Sequence, residues 1–353
     1  MMKCDFLQRH KLPVSASVRD ALEGLNRLSG ETMTLFVIDH NDSVVGSVTD
    51  GDVRRALLAG FSLSDAVARI AHTGFMALRG DGQDFEVVKQ AREKGIALLP
   101  RLDSKGRLTG IVDLREVKAM LPIDAILMAG GRGERLRPLT LDTPKPLLKV
   151  GGKAIIDYNI ESLKAHGVTD IFVTVNHLRE KIEAHFSGTE GVECIAEPKR
   201  LGTLGSLRLA LPRLHHDNVL VMNSDLLTDL DFEDLYCSHI ASGAALTVVA
   251  VPYTVSVPFA VMEIKEEWVK RLTEKPTLNY FVNAGVYLMQ RRLAERIEAD
   301  AFVDAPDFIE DLITDGEKVG YYHLRGTWID IGSPDDYRHA CEMMKAPRLG
   351  YKH

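Results

Sequence analysis

An apolar run that passes directly into glycines and arginines is a place to hold phosphate. Here Ile123–Ala129, IDAILMA, leads into GGRGERLRPLT, Gly130 to Thr140. Around Ala129, Gly130, Gly131 and Gly133 the backbone N–H groups can approach an anion closely. Arg132, Arg135 and Arg137 add positive charge to the same loop. The pattern GxxxxGK[ST] is absent, and no helical pattern follows the glycines at once, so neither a Walker A loop nor a dinucleotide fingerprint is present. Asp225, in VLVMNSDLLTDLD, follows the apolar run Val219–Met222. An acid at the carboxyl end of a buried strand is well placed to hold Mg²⁺. Two carboxylates far apart in sequence can meet at one hard cation. Taken singly, each also fits a helix cap or a turn. Asp229 and Asp231 read as capping residues. The histidines are not clustered; His215 and His216 read as exposed, and none is assigned to catalysis.

These residues need elements to position them. From Ala154 onward, helical and strand patterns alternate: helix Ala154–Ala165, strand Ile171–Val175, helix Arg179–Phe186, strand Val192–Ala196, helix Thr203–Leu211, strand Val219–Met222. Such alternation predicts a mixed, mainly parallel sheet in a three-layer, Rossmann-like α/β/α unit, with ligands at the carboxyl ends of the strands. The chain of 353 residues is long for one core. Hydrophobic residues make up 45% and charged residues 26%, a globular balance that argues against disorder. A net charge of −7 makes the chain a poor candidate for a general nucleic-acid binder, which relies on Lys and Arg to neutralise phosphates. Cys4, Cys194, Cys237 and Cys341 are scattered, without CxxC or zinc-ligand spacing, and read as reduced, buried thiols. No apolar run approaches the roughly 20 residues of a membrane span. The start of the chain has no apolar signal core, so the expected compartment is the cytoplasm.

The first third contains a repeat. Thr34–Leu57, TLFVIDHNDSVVGSVTDGDVRRAL, matches Leu98–Met120, LLPRLDSKGRLTGIVDLREVKAM. Asp39 aligns with Asp103, Gly46 with Gly110 and Asp52 with Glu116. Each copy reads as strand, polar turn, strand and the start of a helix, preceded by a helix at Val18–Leu28 or Phe85–Lys94. The segment resembles a pair of CBS modules, or Bateman module, with repeats at about 12–64 and 76–120 inside a domain 1–121. GSVTDGDVRRAL, Gly46 to Leu57, is similar to the family's G-h-x-T-x-x-D pattern. The resemblance implies that Thr49 and Asp52 bind a regulatory nucleotide: a carboxylate accepts ribose hydroxyls, and a hydroxyl beside a helix N-terminus suits phosphate. In the second copy Asp113 and Glu116 stand at these positions, and an acid in place of the Thr repels phosphate. Helix capping by Thr49 and Asp52, with the pair serving packing or dimerisation, is the alternative.

Residues 122–353 carry a second resemblance. GGRGERLRPLTLDTPKPLLKVGGKAIIDYNIESL resembles the signature of sugar-1-phosphate nucleotidyltransferases, GGxGxRLxPLTxxxPKPLLxVxGKPxI, in register from Gly130 to Ile155. The resemblance implies that a sugar phosphate oxygen attacks the α-phosphorus of a nucleoside triphosphate and pyrophosphate leaves. Such a site positions two anions and neutralises charge, with no enzyme nucleophile. It implies Arg135 at the triphosphate, Lys145 at the α-phosphate, and Asp225 and Asp330 at Mg²⁺. Ser224 replaces the family's usual Gly before Asp225. LTEKP resembles the family's EKP, placing Lys275 at the sugar phosphate and Glu274 at a sugar hydroxyl. VNAGVYLM resembles its NAG, with Asn283 at the sugar and Gly285 allowing close approach. FAVMEI, Phe259 to Ile264, resembles YGVVEx with Ala260 for Gly, which alters the sugar pocket. AEPKRLGTLGSLRLA resembles E-x-x-LGTAGAL, placing Glu197, Gly202 and Thr203 at the nucleotide, with Leu204 for Ala.

A carboxylate at Glu197 could accept from guanine N1–H and N2–H₂, which favours GTP over thymidylyl or uridylyl transfer. The order of a CBS pair before a transferase resembles bacterial guanylyltransferases that make GDP-glucosamine toward legionaminic acid, a nonulosonic sugar of surface glycans. It is also similar to mannose-1-phosphate guanylyltransferases. The choice between glucosamine 1-phosphate and mannose 1-phosphate rests on architecture alone. A homo-oligomer is expected. A reading of another class, a nucleotide-sensing protein without turnover, is opposed by the presence of Arg135, Lys145, Asp225, Lys275 and Asp330 together.

Overall fold

The computed structural model describes residues 3–80 and 82–345, with side chains from residue 6. The chain forms two compact units, Met1–Met120 and Leu121–His353.

In the first unit, α1 (Lys3–Arg9) precedes β1 (Lys11–Pro13), α2 (Val18–Arg27), β2 (Thr34–Ile38), β3 (Val44–Thr49) and α3 (Asp50–Leu58). Then α4 (Asp84–Glu93), β4 (Leu98–Leu102) and β5 (Leu108–Asp113) repeat the order. β2 and β3 pair antiparallel, as do β4 and β5, and β1 lies parallel to β2. The repeats share a core in which Phe36, Ile38 and Val44 pack on Leu98, Leu102 and Leu108. The helix expected after the second copy does not form: residues 114–116 are a turn and 117–120 are irregular. α3 begins with a capping box, in which Thr49 and Asp52 reciprocally satisfy end donors. At the matching start Asp113 instead accepts from the Arg115 guanidinium and the Thr32 hydroxyl.

The second unit is built on seven strands: β6 (Ile123–Met128), β9 (Ile171–Val175), β10 (Val192–Ala196), β11 (Asn218–Asn223), β13 (Leu246–Ser256), β16 (Thr277–Gln290) and β17 (Val319–His323). The remaining strands are short pairs. β7 (Lys149–Val150) pairs with β8 (Lys153–Ala154), β12 (Leu226–Thr228) with β18 (Trp328–Asp330), and β14 (Val261–Lys265) with β15 (Trp268–Thr273). The sheet order is β10-β9-β6-β11-β16-β13-β17, and only β16 runs against its neighbours. The sheet is therefore mixed and mainly parallel, as the alternation predicts. The strand order turns back at β6, whose partners are β9 and β11, so the crevice between β6 and β11 at their carboxyl ends is where this topology binds ligands.

Helices α5 (Ile155–Ala165), α6 (Arg179–Phe186), α7 (Leu207–Ala210), α8 (Phe232–Ser242), α9 (Ala305–Thr314) and α10 (Pro334–Met343) complete the unit. Ile126, Val219, Val221 and Met289 share a core with Leu207, Phe308 and Leu312 of α7 and α9. Their strand neighbours Leu127, Leu220 and Leu288 point the other way and are equally buried. Both faces are covered, as a parallel sheet requires. α7 is shorter than the Thr203–Leu211 pattern predicts, because Gly202 and Thr203 are drawn into contacts with Val303 to Ala305 instead. Among the described residues no helix is long and apolar enough to cross a membrane. Cys194, Cys237 and Cys341 are half-buried and form no disulfide among the described residues, and the Cys4 side chain lies outside them. Burial pushes the Cys194 thiol up to about 11, away from thiolate reactivity.

At the amino end of the sheet Asp124, fully buried, accepts from the backbone N–H groups of His215 and His216 and pairs with His216 Nδ1 at 3.0 Å. His216 is thus half-buried and paired, not exposed as its polar surroundings suggest. The hydrogen bond to Asp124 raises its pKa above the ordinary 6.5. The protonated ring therefore stabilises the fold fully below about pH 6.5, and this contribution is lost as pH rises through the higher folded value. In thermal melts the Tm advantage of wild type over His216→Ala should shrink as pH goes from about 6 to about 9. A constant difference across that range would remove the charged pair from the account.

Candidate functional site

Asp225 and Asp330 are brought together by one small ladder. β12 and β18 pair antiparallel with Leu226 opposite Asp330, Leu227 opposite Ile329 and Thr228 opposite Trp328. The ladder continues inward, where Ile331 N–H donates to the Asp225 carbonyl. Asp225 itself follows β11 at its carboxyl end. Ser224, in the position where the related signature has Gly, is buried and turned to the neighbouring strand: its N–H and hydroxyl both donate to the Met128 carbonyl at the end of β6. The extra hydroxyl therefore ties together the two loops of the crevice.

Lys145 closes this group. Its Nζ pairs with Asp225 Oδ2 and lies 3.8 Å from Asp330 Oδ1. The Arg135 guanidinium packs over Gly332, at 3.4–3.6 Å from where a Cβ would stand, and its charge is felt at Asp330. Burial and the neighbouring Asp225 raise the pKa of Asp330, while Lys145 and Arg135 pull it back. Asp225 Oδ1 is buried and, among the described residues, has no hydrogen-bond partner. A buried carboxylate oxygen without a donor beside a second, destabilised carboxylate is a donor set that fits a divalent cation. A second group, Asp124, Asp170 and His216, places its ligand atoms within 4.8 Å of one another. It sits at the amino ends of β6, β9 and β11, at the opposite edge of the sheet, and its Asp124 oxygens are already satisfied.

The glycine loop lies at the carboxyl end of β6. Gly133 is left-handed (φ 59°), and the Thr140 hydroxyl donates to its carbonyl at 2.7 Å. A Cβ on Gly130 would stand 3.0 Å from Glu197 Oε1 and 3.3 Å from Asn176. Glu197 is buried directly behind this glycine. Burial raises its pKa against the pull of the Leu201 N–H, the Thr174 hydroxyl and Arg200. Ser206 donates to the Thr174 oxygen, which leaves the Thr174 proton for Glu197. Gly202 (φ 79°) abuts the Val303 carbonyl, and Thr203 accepts from Ala305 N–H while its own N–H donates to Asp304. Glu197, Gly202 and Thr203 thus form a hydrogen-bonded wall behind the loop.

Asn283 and Gly285 lie in a β-bulge of β16, where the pairing with β13 shifts between Val248 and Ala250. Asn283 Nδ2 donates to the Tyr287 hydroxyl and its Oδ1 accepts from Gly285 N–H. Gly285 is left-handed (φ 72°), and a Cβ there would overlap the Asn223 amide. The bulge brings β16 against the end of β11, beside Asp225. Glu274 and Lys275 stand exposed in the turn between β15 and β16, and the structure does not join them to the Lys145 group. Asn176 and Asn223 were passed over in reading the sequence. Each is an amide just past or at the carboxyl end of a buried parallel strand, which is the signal that could have found them.

In the first unit a cavity of about 720 Å³ is lined by Thr49, Asp52, Arg55, His72 and Lys94, among others. Asp52 Oδ2 accepts from the Thr49 N–H and hydroxyl, and Arg55 pairs with Oδ1 at 2.6 Å. Gly46 allows the close approach of the 71–72 segment, whose backbone exchanges hydrogen bonds with Ser47.

Comparison with known proteins places these arrangements. A nucleotidyl transferase family model matches residues 124–346, and a CBS domain model matches residues 5–59. The mannose-1-phosphate guanyltransferase of Neurospora crassa is 33% identical over 225 residues, 60% of this chain and 62% of that protein. The enzyme of the same name from Schizosaccharomyces pombe is 33% identical over 227 residues, with the same coverage. This chain thus spans about three-fifths of the length of these relatives. The crystal structure of HddC from Yersinia pseudotuberculosis superposes with a TM-score of 0.50 at 25% identity, covering 63% of this chain and 99% of that one. With the family model spanning more than half of its length, this chain belongs to the nucleotidyl transferase family.

Proposed function

We propose that the second unit transfers a nucleotidyl group from a nucleoside triphosphate to a sugar 1-phosphate, releasing pyrophosphate. The observation that carries the reading is the convergence of Arg135, Lys145, Asp225 and Asp330 beside the glycine loop. Transfer requires two anions to be held in line while negative charge builds on the leaving pyrophosphate. Backbone N–H groups of Ala129 to Gly133 would take the triphosphate, and Arg135 would neutralise the leaving group. Lys145, relieved of its carboxylate partners by the incoming phosphates, would move onto the α-phosphate. Asp225 and Asp330 would hold Mg²⁺, which would supply positive charge against the phosphates. No enzyme nucleophile is required, since the sugar phosphate oxygen attacks directly.

GTP is the favoured triphosphate. The support is the Glu197 wall behind Gly130 and the likeness to the guanyltransferases named above. Those relatives favour mannose 1-phosphate as acceptor; the order of CBS segment and transferase favours glucosamine 1-phosphate and a nonulosonic (legionaminic) route. Glu274 and Lys275 would reach the sugar phosphate from the ribbon, with Asn283 and Gly285 beneath the sugar. A cytoplasmic setting and a homo-oligomer belong to the same reading. We assign residues 1–121 as a CBS pair, whose cavity takes a regulatory nucleotide through Arg55, Lys94, Thr49 and Asp52.

Pyrophosphate release with Mg²⁺ should be strongest with GTP and either mannose 1-phosphate or glucosamine 1-phosphate, in a panel including UTP, dTTP and glucose 1-phosphate. Preference for UTP or dTTP would keep the reaction and overturn the base assignment. Asp225→Asn should lower turnover by roughly 10²–10³-fold without loss of fold by circular dichroism; full activity would remove the carboxylate from the site. Adenine or guanine nucleotides added to the full chain should change its rate, and Asp52→Ala should abolish that response. Identical rates with every nucleotide would leave the first unit with packing or assembly alone.

A further inference from the structure

Asp229 does not cap a helix. Asp231 caps α8, accepting from the N–H groups of Glu233 and Asp234. Asp229 instead occupies the next rung of the β12–β18 ladder, opposite Thr327. Its N–H donates to the Thr327 carbonyl at 3.3 Å. The return bond, which a regular ladder would make to the Asp229 carbonyl, goes to its side chain: Thr327 N–H donates to Oδ1 at 2.7 Å. The residue before Thr327 is Gly326, and a Cβ there would overlap the Asp229 carboxylate. No left-handed φ demands that glycine; the space its missing side chain leaves is filled by the carboxylate. Asp229 and Gly326 thus form a clamp at the outer end of the ladder whose inner end carries Asp225 and Asp330.

We propose that Asp229 is a positioning residue for the cation site, a role that rests on the reading of Asp225 and Asp330 as its ligands. Three rungs, Leu226 to Thr228 against Trp328 to Asp330, are too few to hold their own register firmly. Register matters here because a one-residue slip sends every side chain to the opposite face, and Asp330 would leave Asp225. The inner end is opposed by repulsion between the two carboxylates. The outer end is therefore where the ladder has to be fixed. Trp328 adds a second anchor through Nε1–H to the Ala284 carbonyl, within the bulge that carries Asn283 and Gly285. The clamp acts through geometry and not through its charge, since one acceptor oxygen for Thr327 N–H is what the site uses.

The test compares Asp229→Ala, Asp229→Asn, Gly326→Ala and the Asp229→Ala/Gly326→Ala double variant in the full chain. Half-saturating Mg²⁺ and Mn²⁺ are measured in pyrophosphate release, and bound Mn²⁺ is followed by water-proton relaxation. Asp229→Ala and Gly326→Ala should each weaken the metal dependence by about 10-fold, with KM for both substrates at saturating metal within about 2-fold of wild type. Asp229→Asn keeps an acceptor oxygen and should restore the wild-type metal dependence. The double variant should be no worse than Asp229→Ala, because the added methyl then meets no carboxylate. Wild-type metal dependence in Asp229→Ala, or a loss in Asp229→Asn as large as in Asp229→Ala, would overturn the clamp. Unchanged metal dependence in Asp225→Asn would overturn the cation site itself, and the clamp with it.

Discussion

Two carboxylates held side by side are the constraint around which the second unit is arranged. Asp225 and Asp330 repel each other, and burial makes the charge on Asp330 costlier still. The fold keeps them together by supplying cations from elsewhere in the chain, Lys145 between them and Arg135 above. The arrangement is half a site in chemical terms: its positive groups compensate the protein's own acids, and its acids leave Asp225 Oδ1 without a donor. A ligand that brings both negative phosphates and a hard cation satisfies every one of these groups at once. In the proposed reading, phosphate oxygens would take over Lys145 and Arg135, and the cation would take over the carboxylates.

Much of this was legible before any coordinates. The mainly parallel sheet follows from the alternation of helical and strand patterns, and the glycine loop and Asp225 lie at the carboxyl strand ends where such a sheet binds ligands. Strands β9 and β10 and helix α6 fall on the residues their patterns predict, β9 as a fully buried apolar run and β10 as a half-exposed strand at the sheet edge. The repeat in the first unit was equally readable from Asp39, Gly46 and Asp103. What failed were readings that depended on a single tertiary partner. The last helix of the second repeat is missing where Arg115 folds back onto Asp113 in place of a cap. Helix α7 loses its first turn to Val303 and Asp304. His216 reads as surface until Asp124, 92 positions away in sequence, is found beneath it.

The site residues divide along the same line. Arg135, Lys145, Asp225 and Asp330 are placed together by the resemblance of their motifs to the nucleotidyltransferase signature, and their opposite charges give a physical reason for them to meet. The resemblance implies Glu197, Gly202 and Thr203 at the nucleotide, and the structure shows in addition that they meet the Leu201 loop, the Val303 carbonyl and the start of α9. No sequence pattern separates a residue that touches a ligand from one that fixes the loop behind it, since both are invariably small or polar and sit beside glycine.

The two ends of the reaction are built on different foundations. In the proposed reading the phosphate end stands on the central strands β6, β9 and β11, which are buried on both faces and whose loops are tied by Ser224 and Thr140. The sugar end extends onto the outer halves of β13 and β16 and the β14–β15 hairpin, which are exposed along their length, with Phe259 74% and Trp268 68% accessible. Glu274, Lys275 and the Ala260 that replaces a glycine all lie on this ribbon. A ribbon with so little packing has low local stability, so side chains there can vary without loss of the sheet or of the charged group. In the proposed reading, reaction chemistry would thereby be insulated from acceptor choice. That separation is the physical reason why residues on the sheet identify the class of reaction more sharply than the ribbon identifies the sugar.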